Sequence, residues 1–287
     1  IIKSGIKKVY VAMKDPNPIN SGRGIARLRS SGIKVDLGIM GTEAQFINRA
    51  YVKFIKKGLP YITVKTAQSI DGKTAAFNGT SKWISSYRSR MYVRKLRALA
   101  DAVMVGIGTV LKDDPLLLPS KSSGKKTIRV VLDSRLRIPE KARIIKTAGT
   151  GPVVVVTTRA ASADKIKRLS ARKGVKVMVV KSRNGKVDLG DFLHKITREG
   201  VLSIISESGG TLAGGLFDGG FVDEMIFFIA PKILGGTNVS IAGRGVADIS
   251  EAVELERAEV FSSAGDLVIR ATLKKSRDKG ATVCLRA

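Results

Sequence analysis

Leu202-Ser203-Ile204-Ile205-Ser206-Glu207-Ser208-Gly209-Gly210-Thr211-Leu212-Ala213-Gly214-Gly215-Leu216-Phe217-Asp218 is the stretch on which the fold turns. It reads as a short apolar strand over 202–206, a glycine-rich turn, and a helical pattern over 212–218. A strand that enters such a turn and opens a helix is a βα unit. Ligands bind at these strand ends because the loops expose backbone donors and helix N-termini. Gly209, Gly210, Gly214 and Gly215 let backbone N–H groups come close to a phosphate, although a glycine cluster is equally the mark of a turn with no ligand. Glu207 adds a carboxylate at the strand end, suited to sugar hydroxyls or to positioning a substrate.

Outward from that unit the same alternation continues. Strand-like runs fall at 61–67, 102–105, 128–132, 153–157, 176–180 and 224–229, with helical patterns at 88–99, 163–172 and 189–199 between several of them. The spacing predicts an α/β domain with a mostly parallel sheet covered on both faces. A last strand at 267–273 is expected at an antiparallel edge. Before residue 59 a smaller α/β segment reads as strand, helix, strand and a helix capped by Thr42 that runs to Gly58. The expected organisation is therefore 1–58, then a main domain over 59–274, then a loose tail over 275–287.

The chain has 287 residues, of which 44% are hydrophobic. No run approaches the ~20 apolar residues of a membrane-spanning helix, and no leader pattern is present, so the reading is cytoplasmic. One cysteine, Cys284, and one histidine, His194, supply neither a disulfide framework nor a zinc ligand set, so no metal site is expected. His194 is read as a surface or packing residue. Against 24 acidic residues stand 51 basic ones, for a net charge of +27. That balance favours anionic ligands and non-specific nucleic-acid adsorption alike. The basic residues are dispersed, and no RNA-binding motif or aromatic stacking cluster accompanies them.

Two further clusters sit after strands. Lys65-Thr66-Ala67-Gln68-Ser69-Ile70-Asp71-Gly72-Lys73-Thr74-Ala75 runs from strand into turn and leads to Gly79-Thr80-Ser81-Lys82-Trp83-Ile84. Lys65 in an otherwise apolar strand is either an edge residue facing solvent or a cation held in a cleft. Trp83, the sole tryptophan, is a core, lid or cofactor residue. Gly106-Ile107-Gly108-Thr109-Val110-Leu111-Lys112-Asp113-Asp114-Pro115 is the other cluster, a weak signal taken alone.

In order, these pieces resemble the bifunctional deaminase/reductase family of riboflavin biosynthesis, the RibD family. The resemblance is carried by 64–75, 79–84, Leu96-Arg97-Ala98, 101–115, 129–135, 207–215 and 221–235 with Ala230-Pro231-Lys232, and it extends from Gly5 to about Lys274. It implies a dihydrofolate-reductase-like three-layer fold, preceded over 1–58 by a partial cytidine-deaminase-like remnant plus linker, in which Tyr10 to Pro18 looks like the deaminase domain near its C-terminal end. The implied activity is NADPH-dependent reduction of 5-amino-6-(5-phosphoribosylamino)uracil to its ribitylamino counterpart, with hydride delivered to C1′ of an opened, imine-like sugar. By similarity, Ala67, Trp83, Thr109, Asp113 and the loop Gly209, Gly210, Thr211, Leu212, Ala213, Gly214 and Gly215 contact the cofactor, with Ser134 and Arg135 near its adenosine phosphate. Ser81, Arg97, Leu117, Ser120 and Glu207 fall on the substrate side. Lys65 and Glu207 are the expected catalytic pair. A homo-oligomer is implied as well.

Two departures qualify the resemblance. The family often carries an arginine shortly after its Asp-Asp-Pro motif, where this chain has Ser120, followed by Lys121. The His-Ala-Glu motif and paired cysteines of the zinc deaminase are missing, so zinc is expected only in a deaminase part outside this chain, either in a longer parent protein or in another polypeptide. Two alternatives stand beside the leading reading: a related reductase acting on a pterin or another pyrimidine, and a basic RNA-binding protein.

Overall fold

The computed structural model describes residues 1–120 and 126–274. Lys121 and the expected tail over 275–287 lie outside the described residues. The chain divides into two compact units, Ile1–Tyr61 with Leu193–Leu202, and Ile62–Phe192 with Ser203 onward.

In the first unit β1 (Lys8–Val11) pairs in parallel with β2 (Lys34–Leu37), joined through α1 (Arg23–Ser30). The single helix expected up to Gly58 is in fact two, α2 (Gly41–Ile47) and α3 (Arg49–Lys57). The break falls at Asn48 (φ −92°, ψ 14°), whose side-chain amide donates to the Ala44 carbonyl alongside its own backbone N–H. Thr42 is not the cap; Met40 holds that position without a side-chain bond. Gly58 does close α3, in the left-handed conformation at φ 62°.

The second unit is built on one sheet. Its strands are β3 (Tyr61–Ser69), β4 (Ala102–Gly106), β5 (Ile128–Leu132), β6 (Val153–Thr157), β7 (Val175–Val179), β10 (Ser203–Ser206), β11 (Glu224–Ala230), β12 (Leu255–Ser263) and β13 (Asp266–Leu273); β8 (Ser182–Arg183) and β9 (Lys186–Val187) form a small separate hairpin. The order across the large sheet is β12-β13-β11-β3-β10-β4-β5-β6-β7. β10 pairs in parallel with β4, β4 with β5, β5 with β6 and β6 with β7, as does β11 with β3, while β13 pairs antiparallel with both β11 and β12. β13 is thus antiparallel as expected but not at the edge. β12 lies outside it, hidden from a hydrophobic pattern because nearly all its residues, including Glu256, Arg257 and Glu259, are exposed.

The helices are α4 (Tyr87–Leu99), α5 (Ile107–Asp113), α6 (Arg143–Lys146), α7 (Ala163–Ser170), α8 (Leu189–Arg198) and α9 (Gly210–Asp218). α4 starts where the Ser86 hydroxyl accepts the Ser89 N–H, and α7 where Ser162 accepts from Lys165. α5 was not legible from periodicity, since Gly106 and Gly108 depress helix propensity at its start. Alternation along β4 explains the layering. Val103 and Val105 join a core with Val93 and Leu96 of α4, whereas Ala102 and Met104 face the other way, and all four strand residues are fully buried. A sheet dry on both faces is the middle of three layers. Each fully buried Val or Leu side chain contributes about 1.5–3 kcal/mol.

Candidate active site

Arg97, on the last turn of α4, meets Glu207 just beyond β10. Its Nε donates to Glu207 Oε1 at 2.5 Å and its Nη2 to Oε2 at 2.9 Å, a two-pronged ion pair. Nη1 donates to the Leu118 carbonyl at 3.1 Å. Of the five guanidinium N–H groups two remain, one on each Nη. The two side chains are only 16% and 11% exposed. Burial disfavours the Glu207 carboxylate, but the charge and hydrogen bonds of Arg97, with the charge of Lys65, outweigh it and hold the group below the usual carboxylate range. Arg97 is raised in turn, the pull of Glu207 overcoming desolvation.

Lys65 is the interior cation of the two sequence readings. It is partly accessible yet surrounded by protein, with its ammonium 5.3 Å from the Phe228 ring centre. Desolvation pushes its pKa down and Arg97 adds to that, against the opposing charges of Glu207 and Asp266. Asp266, which the sequence reading missed, is buried at the start of β13 and accepts the Ser86 N–H at 2.7 Å, fixing the start of the helix that carries Arg97. Its pattern gave no signal, because a single acid beside a turn is ordinary.

The loop bearing Ser81 and Trp83 is held from two sides. Lys232 donates to the carbonyls of Trp83 and Ile84, each at 3.0 Å, and the Arg90 guanidinium stacks 4.2 Å from the centre of Trp83. Trp83 itself is exposed, which removes the core reading. Asp71 receives the Ser69 hydroxyl and the N–H groups of Gly235 and Leu234, and these bonds lower its pKa to about 2 against a smaller cost of burial. Thr109 and Asp113 lie on α5. Leu212 comes within 3.9 Å of where a Cβ on Gly106 would lie, and Lys112 Nζ within 3.7 Å of one on Gly79, so α5, α9 and the 79–84 loop meet. Asp114 ends α5 at φ 40° and accepts the Arg143 N–H of α6. Leu117 is buried next to Leu118, and Ser120 N–H bonds the Arg94 carbonyl.

The glycines of α9 divide into two groups. A Cβ on Gly210 would stand 2.3 Å from the Val239 carbonyl, and one on Gly214 1.8 Å from that of Ala242. Those two exist to seat the chain's own segment, which Thr74 and Asn238 also tie to the 73–76 turn. Gly209 by contrast faces open space and caps α9 with no side-chain bond. The N–H groups of Gly210 and Thr211 have no partner among the described residues, so a helix end with free donors is available to an anion. Ser134 and Arg135 follow β5, farther along the sheet. The Ser134 hydroxyl accepts the Val187 N–H, and Arg135 is exposed. A separate cavity of about 380 Å³ in the first unit, lined by Met13, Asp15, Gln45 and others, holds none of these residues.

The sequence matches the family of the RibD C-terminal domain over residues 60–269. The chain belongs to the RibD family. It is 38% identical over 270 residues to the riboflavin biosynthesis protein RibD of Aquifex aeolicus, covering 94% of this chain and 73% of that protein. RibD from Acinetobacter baumannii is similar in structure, with a TM-score of 0.80, 29% identity, and coverage of 96% of this chain and 75% of that one. So is the Thermotoga maritima diaminohydroxyphosphoribosylaminopyrimidine deaminase/5-amino-6-(5-phosphoribosylamino)uracil reductase, at TM-score 0.79 and 26% identity over 96% of this chain and 73% of that chain. The dihydrofolate-reductase-like α/β fold of the second unit agrees with the RibD family. The RNA-binding and pterin-reductase alternatives find no support. No helix among the described residues is long and apolar enough to cross a membrane.

Proposed function

We propose that this riboflavin-biosynthesis reductase domain reduces 5-amino-6-(5-phosphoribosylamino)uracil to the ribitylamino product with NADPH. The observation that carries the reading is the Arg97–Glu207 ion pair beside the interior Lys65, next to a helix end with free N–H donors.

The donor set fits a dinucleotide phosphate. The open face of Gly209 and the free N–H groups at the start of α9 suit a diphosphate. Ala67, Trp83, Thr109 and Asp113 would border the nicotinamide half. Ser134 and Arg135 would lie toward the adenosine phosphate, where an exposed guanidinium favours the 2′-phosphorylated cofactor. When bound, NADPH supplies a hydride. The protein's part is positioning and charge. Arg97, fixed by Glu207, turns its two remaining N–H groups to an anionic substrate, and Glu207 is held ionised to accept from sugar hydroxyls. Lys65, with its lowered pKa, gives up a proton more readily than a surface lysine and can protonate the sugar oxygen as the ring opens. Ser81, Leu117 and Ser120 complete the substrate side. In the same reading the first unit derives from the deaminase half, since the likeness to RibD extends well before residue 60. Zinc would then belong to the rest of that half, and the assembled protein would be a homo-oligomer.

The test is NADPH oxidation with and without the phosphoribosylamino-uracil, on the wild type and on Arg97→Ala and Glu207→Ala. Substrate-dependent oxidation is expected, falling about 10²-fold or more in kcat/KM in both variants, as loss of a preorganised charged contact does. Folded wild-type protein that oxidises no NADPH in response to the pyrimidine overturns the reading.

A further inference from the structure

Arg129 is a buried charge for which the site described so far has no use. It lies on β5 in the run Ile128-Arg129-Val130-Val131-Leu132, and none of its surface is exposed. Among the described residues it has no carboxylate partner, and burial alone lowers its pKa to about 10, which leaves it charged at neutral pH. A buried unpaired charge is costly, so its hydrogen bonds must be specific and numerous. Nη1 donates to the Leu116 carbonyl at 2.9 Å and to Thr147 Oγ1 at 2.8 Å. Nη2 donates to the Thr147 carbonyl at 2.8 Å and to the Gly151 carbonyl. A planar fork reaches four acceptors on three segments; an ammonium cannot.

What the fork holds lies next to the site. Between Leu116, tethered by Arg129, and Leu118, tethered by Arg97, stands Leu117 at φ 53°, a left-handed conformation that a leucine adopts only when its surroundings impose it. Two guanidinium groups thus pin the carbonyls on either side of one strained, buried residue. The packing agrees: a Cβ on Gly151 would lie 3.4 Å from Arg129 Nε and 3.5 Å from the Leu118 side chain. From the same strand start, Thr127 donates to the Arg97 carbonyl at 3.0 Å.

We propose that Arg129 is a positioning residue for the substrate side of the site: it holds the Leu116–Leu117–Leu118 turn in its strained form, and so sets the carbonyl that orients Arg97. It touches no substrate. This inference rests on the reductase reading only for its kinetic consequence.

The experiment uses the full chain with Arg129→Lys, Arg129→Met and Thr147→Val, the last removing one acceptor and no charge so that a folded variant is always at hand. Backbone hydrogen exchange over 116–120, which includes the Ser120 N–H, is compared with exchange in β6. In the folded variants we expect exchange over 116–120 to rise ~tenfold with β6 unchanged. The KM for the phosphorylated pyrimidine should rise ~tenfold while that for NADPH stays within about twofold. Arg129→Lys should recover only part of the loss. Unchanged exchange over 116–120 in folded variants overturns the proposal, as does an equal rise in both KM values. Exchange does not depend on which molecule is reduced, so failure of the wild type to turn over the pyrimidine sinks the reductase reading and leaves exchange to decide for Arg129.

Discussion

Lys65 sits between fixed charges of both signs, Glu207 and Asp266 against Arg97, inside a strand whose neighbours are apolar. Its folded pKa lies below the ordinary lysine value of 10.5, chiefly because burial disfavours the ammonium. In the window between those two values the unfolded chain binds the extra proton, so stability rises as pH climbs through it. Lys65→Met should abolish that rise in denaturant titrations carried out at successive pH values; a slope that survives the substitution would assign it to other groups. In the proposed role, where the protonated form is the useful one, kinetics should show the opposite sign. In the wild type kcat/KM is expected to fall with pH through the lowered pKa, earlier than a surface lysine would allow. Lys65 was visible in the sequence as an anomaly, but its two readings, solvent edge and interior cation, differ only in what surrounds the side chain. β3 lies between β11 and β10, which makes the interior reading the true one.

At the scale of elements, α9 shows how one glycine-rich motif serves two ends. Gly210 and Gly214 receive the backbone of the 239–242 segment, while Gly209 leaves the helix N-terminus open. Gly214→Ala, with its Cβ 1.8 Å from a carbonyl oxygen, should destabilise the domain by about 3 kcal/mol or more, because backbone must move. Gly209→Ala meets nothing within 4 Å and has φ −70°, so its melting temperature should match the wild type while its KM for NADPH rises. Equal melting temperatures for both variants would contradict this division of labour. The motif's identity and its place between strand and helix were legible because turn chemistry is local. The packing of the 239–242 segment was not, since nothing in the motif records which distant backbone will lie on it.

For the molecule as a whole, the net charge of +27 makes the approach of anions long-ranged. The screening length is about 10 Å at 0.1 M salt. Raising ionic strength from ~0.02 M to ~0.3 M should therefore raise the KM values of both NADPH and the phosphorylated pyrimidine several-fold, whereas a neutral osmolyte should leave them alone. Insensitivity to salt would show that dispersed surface charge contributes nothing to capture. The same charge, read from composition, suited nucleic acid equally well. The choice came from ordered motifs over 60–269, not from the count of lysines and arginines.

The amino-acid order by itself determined the alternation of strands and helices, the mostly parallel sheet, and the place of Glu207 and the glycine-rich turn just after a strand, because these follow from side-chain periodicity and turn geometry within short windows. Tertiary structure alone decided that β12 flanks β13. It also decided that Arg97 grips Glu207 across 110 residues and that Arg129 binds carbonyls 13 and 22 residues away. Those pairings depend on where the sheet brings distant segments. A local pattern records which face of an element is buried, but not which partner will cover it.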